Sequence, residues 1–352
     1  MNKNYSPNTD SDTLIPANKI EKFLSAVFSK LGLDDFSRSA VVDGLMFASI
    51  RGIDSHGIRL APHYANCAQT GVKNPRPKFS IHKTKQSIIW LDADGAYGLA
   101  AGRKAVELGI EIAKESGIAF VGVRNSTHPA AMSSIVAQAA AKGFIGFGFA
   151  NADALMCSHG GKKAFYGTNP ISFCTPMGET MFTLDMATTQ FTWNKIKIYR
   201  EKNISLPNGI AVDCNGNETT DPHNAAALLP TGLHKGFALA AMVEILTGVI
   251  SGSLISPEIT PMYADNLNSP RQLSQSYIFI DQAVGGGAKL FQKRILKMAE
   301  LLIDNDSTEK DVILPGLLES KVSEKRLAEG IPIDAQTMKK FRQLEELLGL
   351  SI

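Results

Sequence analysis

At Asn74–Pro77, "NPRP", the hydrophobic period of the chain changes, and this change limits the folds open to it. Before the breaker, apolar residues recur at helical spacing. In "NKIEKFLSAVFSKLG", Ile20, Phe23, Leu24, Val27 and Leu31 share one face, and Gly32 suits a left-handed helix end. "DDFSRSAVVDGLMFASIRG" repeats the pattern, with acids at its start and Gly52 at its end. Pro62 suits the first turn of a third helix running to Gly71. After the breaker, strands and helices alternate. "QSIIWLDADG" predicts a strand and turn, "AAGRKAVELGIEIAKESG" a helix, and "IAFVGVRNS" a strand. "AAMSSIVAQAAAKG" predicts a helix whose small residues allow close packing, and "FIGFGFAN" another strand. "PISFCTP" and "TMFTLDMA" read as two further strands, too close for a helical crossover and suited to antiparallel pairing. Such a chain is mixed α/β.

Farther along, "HKGFALAAMVEILTGVISG" predicts a long helix. Residues from about Ser253 to Gln275, rich in Ser, Pro and Asn, read as a long loop or lid. "SYIFI" suits a last core strand, and helices follow from Ala288 to Asp304 and near Gln336 to Leu348. Phe191, Trp193 and Ile196, at helical spacing, read as core rather than as the wall of a ligand site. His63, His82 and His223 read as surface residues, and Arg124 as a solvated charge at a strand end.

Several function classes are excluded by composition. The 36 Lys and Arg against 34 Asp and Glu leave a net charge of +2, which offers no footprint for nucleic acid. No apolar run reaches the ~18–20 residues that span a bilayer. The polar start "MNKNYSPNTDSDT" has no apolar signal core and reads as a loose arm. The four cysteines, Cys67, Cys157, Cys174 and Cys214, are widely spaced without C-x-x-C, the usage of reduced thiols in the cytoplasm. No metal site is expected, because the near pair Cys157 and His159 has no second pair of ligands. There is no G-x-x-x-x-G-K-[ST], and no G-x-G-x-x-G follows a strand to open a helix. "GFGFAN" lies within a strand, and "VGGGAK" reads as a flexible helix entry.

What remains is a set of polar clusters at strand ends and helix mouths, where a rigid scaffold offers groups to a ligand. They are "DSHGIR" (54–59), "RNSTH" (124–128), "YGTNP" (166–170), "LDMATT" (184–189), "LHKG" (233–236) and "PGLLE" (315–319). With "RLAEGIPI" (326–333), their order and spacing resemble the malate/L-lactate dehydrogenase family of the non-Rossmann type. That family also holds ureidoglycolate and sulfolactate dehydrogenases, diketogulonate reductase and the Δ1-piperideine/pyrroline-2-carboxylate reductases. The resemblance runs from about Ile20 to the C-terminus. It implies an NAD or NADP cofactor seated on a largely antiparallel sheet, a homodimer, and a small carboxylate substrate. It also implies three parts: a helical N-terminal portion of the substrate domain (1–77), a mixed α/β cofactor core (78–310), and a C-terminal helical segment (311–352) that packs back on the first.

By the same resemblance, His56 is the proton donor and acceptor, with Ser55 and Asp185 orienting it, and His128 is a second candidate for that work. Arg59 would clamp the substrate carboxylate, while Thr168 and Asn169 touch substrate and cofactor. His128, Asp185, Met186, Ala187, Thr188, Thr189, Lys235, Gly236, Pro315, Gly316 and Leu317 would contact the cofactor. The chemistry suits these roles. Reducing a ketone needs a hydride at carbon and a proton at oxygen, and histidine supplies the proton near neutral pH. An arginine fork binds a carboxylate through two parallel bonds.

The sequence departs from the family pattern where Arg59 comes one residue early, with Leu60 in the usual place. Pro129 and Ala130 replace an aromatic–glycine pair, and Asn194 and Leu233 stand where glycines are common. Three readings follow: a 2-oxo/2-hydroxy acid dehydrogenase, a reductase of cyclic imines next to a carboxylate (as "HPAAM" at 128–132 resembles), and a cofactor-binding protein without catalysis.

Overall fold

The computed structural model describes residues 12–262, 270–304 and 312–352. The expected N-terminal arm lies almost wholly outside them. A short strand, β1 (Thr13–Ile15), leads into helices α1 (Ala17–Lys30) and α2 (Asp35–Ile50). The apolar stripe of α1 buries Ile20, Phe23, Leu24, Val27 and Phe28. Asp34 caps α2, its carboxylate accepting the Ser37 N–H at 2.7 Å.

Beyond Gly52 the chain makes two tight 3-10 turns, Asp54–His56 and Ile58–Leu60, before α3 (Ala61–Gln69). Gly57 joins the two turns. A Cβ there would lie 2.1 Å from Ser49 Oγ, so only glycine lets this corner lie flat on α2. Ser49 Oγ accepts the Ile58 N–H at 2.8 Å. Asp54 is held by Arg326, whose Nη1 and Nη2 donate to its two oxygens at 2.6 and 3.0 Å. This fork and the glycine fix the backbone that carries Ser55 and His56.

The α/β region runs β2 (Ser80–Lys85), β3 (Ile88–Asp92), α4 (Gly98–Ser116), β4 (Ile118–Ser126), α5 (Ser133–Ala140) and β5 (Phe144–Ala150). Short β6 (Met156–Cys157) and β7 (Ala164–Tyr166) follow, then β8 (Ile171–Met177), β9 (Thr180–Met186) and α6 (Trp193–Glu201). β10 (Ala211–Val212), β11 (Glu218–Thr219) and β12 (Ala227–Leu228) lead to α7 (His234–Glu244) and β13 (Leu273–Asp281). The chain ends with α8 (Ala288–Asp304), α9 (Leu317–Glu329), β14 (Ile331–Ile333) and α10 (Ala335–Leu348).

Seven strands form the main sheet in the order β2-β3-β4-β13-β5-β8-β9. Among its described residues, this sheet has β3 and β4 as its one parallel pair, and its other neighbours are antiparallel. The mixed, largely antiparallel fold is therefore present. β13, the expected last strand, inserts between β4 and β5. Glycines in β5 admit α5: a Cβ on Gly148 would lie 2.9 Å from Met132 Cε, and one on Gly146 3.1 Å from Val136 Cβ. Close packing, not phosphate binding, is the use of "GFGF".

A second sheet, β11-β10-β12-β6-β7, packs on a small core of Ile196, Leu206, Ile210, Ala211, Ala225 and Leu228. Phe191 and Trp193 pack against that core, half-buried. α7 continues through a π-helical turn, Ile245–Val249. Of the expected loop, 263–269 lie outside the described residues, and β13 already begins at Leu273. Its first part is pinned: Leu254 O accepts from Asn151 Nδ2 at 3.0 Å, and the Ser256 N–H donates to Glu244 at 2.8 Å. The C-terminal elements return to the N-terminal helices. β14 pairs with β1, and the Phe341 and Phe23 rings lie 5.4 Å apart.

Candidate active site

Two adjoining cavities meet at His56 and His128. The larger, about 470 Å³, runs between α2, β9 and the start of α9, and its walls include Arg51, Thr183, Asp185, Gly316 and Glu319. The smaller, about 350 Å³, lies over α6 and the segment before β13, with Asp153, Trp193, Asn194, Met262 and Arg271 on its walls. The two imidazole rings stack at 5.7 Å on the boundary.

His128 stands just past β4, where Thr127 Oγ1 takes the Gly98 N–H at 3.1 Å and donates to Ala96 O at 3.0 Å. The Tyr64 hydroxyl lies 2.9 Å from the His128 carbonyl oxygen and 3.0 Å from its Nδ1. A carbonyl only accepts, so the phenol proton goes to it, and the phenol oxygen then accepts Nδ1–H. This assigns the tautomer with Nε2 bare. Tyr64 is itself fixed, fully buried, with its carbonyl accepting from Tyr97 Oη at 2.9 Å. Burial, then the nearby charges of His56, Lys73, Arg271 and His63, hold His128 well below the ordinary histidine range. His56 has Ser55 Oγ 2.9 Å from its Nδ1, and burial lowers it to about 4. Both rings are therefore neutral at pH 7 in the free protein.

Asp185 also reaches the larger cavity, at the end of β9. Its carboxylate accepts the Ser133 N–H at 2.8 Å, at the start of α5. The expected link to Ser55 or His56 is not among its hydrogen bonds. It is open to the cavity, yet the enclosing protein lifts it to about 6 against the Ser133 bond.

Arg59 requires a correction. Its guanidinium turns away from both cavities and pairs with Asp334 and Glu201, each at 2.8 Å, while Leu60 enters the core. In a 3-10 turn one residue rotates a side chain by about 120°, so the early arginine points to the α6–α10 side. The arginines on the two cavity walls are Arg51 and Arg271. Arg271 is buried, with Nη2 on Asp153 and Nε donating to Thr260 O at 2.7 Å. Arg51 lies 3.7 Å over the Phe47 ring. Isolated arginines in "SPRQ" and "SIRG" carry no signal in sequence; only the fold brings them beside the histidines. His63, expected at the surface, is half-buried close to His128.

The other expected residues divide in two. Thr168, Ala187 and Gly316 are on the wall of the larger cavity. Gly316 has φ 94°, and a Cβ there would lie 2.7 Å from Met181 O. Asn169, Met186, Thr188, Thr189, Lys235, Gly236, Pro315 and Leu317 are not on that wall. Asn169 is buried and donates to Glu244 at 2.7 Å, and Thr188 ties its backbone and hydroxyl to Thr168 O. Thr189 Oγ1 donates to Phe191 O at 2.6 Å. Met186 pairs with Ile171 in the sheet, Pro315 O accepts the Thr183 N–H, and Leu317 packs by Leu314. Gly236 lets α7 approach Thr188, since a Cβ there would meet Thr188 O at 2.6 Å, while Lys235 is exposed. Thr188 thus backs the wall residue Thr168, and Gly236 backs Thr188.

The sequence profile of malate/L-lactate dehydrogenases matches residues 15–342. The chain belongs to the malate/L-lactate dehydrogenase family. Membership makes it an oxidoreductase. It is 36% identical to the ureidoglycolate dehydrogenase (NAD(+)) of Escherichia coli K12 over 86% of this chain and 87% of that protein. Its fold matches the solved malate dehydrogenase of Pyrococcus horikoshii with a TM-score of 0.89 at 27% identity, over 98% of each chain. It also matches the Δ1-piperideine-2-carboxylate reductase of Pseudomonas syringae pv. tomato, with a TM-score of 0.84 at 25% identity over 94% and 99%.

Where this sequence departs from the family pattern, the backbone registers it. Ala130 has φ 55° and Leu233 φ 56° with ψ −116°, conformations that glycine adopts freely and L side chains do not. Asn194 instead makes a new contact, its Nδ2 donating to Ser55 O at 3.0 Å. Among the described residues no group of three metal-ligating side chains is present.

Proposed function

We propose that the protein moves a hydride between a nicotinamide dinucleotide and C2 of a small 2-hydroxy or 2-oxo carboxylate. The observation that carries this reading is a tautomer-fixed histidine, His128, on the same cavity wall as the buried cation Arg271. Bound in the larger cavity, the nicotinamide would supply the hydride acceptor or donor. Arg271 holds the substrate carboxylate and turns its C2 oxygen toward the two histidines. In the oxidative direction Nε2 of His128 takes the hydroxyl proton as the C2–H bond breaks. In the reductive direction the same atom returns it to the carbonyl oxygen. Nδ1–H stays on Tyr64 in both states, so only one atom changes protonation. His56, backed by Ser55, borders the same oxygen. An anionic substrate beside Arg271 raises the affinity of His128 for the proton it receives.

NAD is the cofactor we infer. The larger cavity suits a dinucleotide: it follows β9 from the histidines to Gly316 and Arg51, which would seat the phosphates. Glu179, Glu319 and Glu324 are also on its wall; they would accept ribose hydroxyls and repel an added phosphate. The NAD(+)-dependent relative agrees. Fluorescence titration with NADH and NADPH, followed by turnover with a panel of 2-oxo acids, tests the reading. Equal binding of both cofactors overturns the NAD inference.

A second substrate reading has its own support. The likeness to the piperideine-carboxylate reductase favours a cyclic imine next to a carboxylate, with the imine nitrogen in place of the oxygen. Cyclic imines belong in the same panel, and oxidation of NADH by that class alone selects this reading. The exposed Met242 on α7, Ile245, Val249 and Ile250 just after it, and Leu296, Leu301 and Leu302 on α8 support a homodimer, checked by light scattering. Four free cysteines support a reducing, cytoplasmic setting. No helix of the described residues is long and apolar enough to cross a membrane.

A further inference from the structure

Close to His128, on the wall of a separate small cavity, lies a lysine that the chemistry above does not use. Lys73 follows α3 and is 3% exposed. Its Nζ has no hydrogen-bond partner among the described residues. A fully buried ammonium without a carboxylate is expensive, and proteins keep such groups where they act on a neighbour. What Lys73 has instead is aromatic. Nζ sits 3.5 Å from the centroid of the Tyr64 ring and 5.0 Å from that of Tyr97. Tyr64 is the residue whose hydroxyl holds both Nδ1 and the carbonyl of His128. Lys73 and His128 also share the wall of one small cavity, of about 10 Å³, with His63, Cys67, Thr127, Met262 and Arg271. That space is too small for a substrate.

We propose that Lys73 is a positioning residue for proton transfer at His128: its charge, seated on the face of Tyr64, keeps the imidazole unprotonated until an anionic substrate arrives. This rests on the reading of His128 as the proton acceptor. The mechanism is electrostatic and needs no proton on the move. A positive charge against the ring makes the Tyr64 oxygen a poorer acceptor for Nδ1–H. The same charge repels a second proton at Nε2 directly. Both effects favour neutral His128, the form that accepts the hydroxyl proton.

Other groups face this pair and set the background. Around His128 they are His56 from the 3-10 turn, His63 and Tyr64 from α3, and Arg271 with its partner Asp153 from the opposite wall. Around Lys73 they are Cys67, whose negative form would favour the ammonium, and Arg271, which opposes it. Burial leads all of these and brings Lys73 itself to about 7, so its charge is present in acid and fades through neutrality. The influence on His128 is thus strongest at the pH where an unprotected histidine would begin to protonate.

The test is the pH dependence of kcat/KM for hydroxy-acid oxidation in the wild type, Lys73→Met, Lys73→Gln and Lys73→Arg. Methionine is close to lysine in volume and removes an unpaired buried charge, so folding is retained; glutamine gives a second neutral variant. The acid limb is expected to move up by about one pH unit in both neutral variants, the effect of a unit charge several ångströms away at intermediate dielectric. Lys73→Arg should keep it near the wild-type position. NADH affinity, read by fluorescence, should stay unchanged in all three. A limb that does not move in Met and Gln overturns the proposal, as does an equal shift in Arg. His128→Gln separates the two layers. If the wild-type limb persists in that variant, the assignment of His128 as acceptor falls; if the limb vanishes there yet ignores Lys73, only the role of Lys73 falls.

Discussion

Tyr64→Phe removes one oxygen and leaves the ring that packs against Tyr97 and Lys73. Its consequence can be worked from two contacts. In the wild type the hydroxyl serves His128 O at 2.9 Å and Nδ1 at 3.0 Å, and Tyr64 is fully buried. Without it, two buried groups of His128 lack their partner, and each such group costs about 1–3 kcal/mol unless it finds another. Rotation of the ring and the shared small cavity allow part of this to be recovered, so a net stability loss of about 1–3 kcal/mol is expected. The effect on rate is separate. The bare-Nε2 tautomer is no longer preferred, and the ring is free to turn. By analogy with partners that orient metal-bound histidines, its loss is expected to lower activity about 10- to 100-fold, equivalent to about 1.4–2.7 kcal/mol in the barrier. The assay is single-turnover hydride transfer, followed by nicotinamide absorbance with protonated and C2-deuterated substrate. Urea unfolding gives the stability. A slower, fully isotope-sensitive hydride step with unaltered NADH affinity is expected. A rate within about twofold of wild type, in a folded protein, refutes the argument that Tyr64 sets the tautomer.

Other perturbations have equally definite outcomes. Arg271→Lys keeps the charge but loses the fork, so KM for the carboxylate should rise about 10-fold or more with NADH affinity unchanged; Arg59→Ala, by contrast, should leave KM close to wild type. Leu233→Gly relieves a positive φ at an exposed site and should stabilise the fold by about 1 kcal/mol in urea denaturation, after the entropy that glycine adds to the unfolded chain. Lys73 is held near 7 in the fold against 10.5 unfolded, so the unfolded chain binds the extra proton between those values and stability rises with pH across that window. Lys73→Met should flatten that rise and raise stability most below pH 7, where the buried lysine is charged, seen in denaturation midpoints at several pH values. Arg326→Met strands the Asp54 carboxylate under the His56 turn and should cost about 3 kcal/mol in stability.

How much of this was legible in the sequence depends on the range over which the physics acts. Helix faces, caps and strand runs are local, and α1, α2, α4, β4, β5 and the pair β8–β9 follow from period, breaker and turn residues alone. So does the exclusion of a glycine-rich dinucleotide loop, because that loop has a fixed local spacing. The polar clusters that mark the family are also local, and they place Ser55, His56, His128, Thr168, Asp185 and Gly316 on the cavity wall. The sequence could not say which strand lies between β4 and β5, because β13 arrives from more than a hundred residues away and a strand's own pattern does not name its neighbour. Nor could it see the second small sheet, whose strands of two or three residues are too short for a period.

The site divides the same way. Residue type shows that an arginine is available, but not where its side chain ends, and one residue in a tight turn carried Arg59 out to Asp334 and Glu201. Arg271, Tyr64 and Lys73 carry no motif; they matter because packing sets a buried cation, a phenol and a bare ammonium around one imidazole. Chemistry that depends on residue identity was written in the chain. Chemistry that depends on distance, tautomer and desolvation was decided only when the tertiary fold brought distant residues together and removed the water between them.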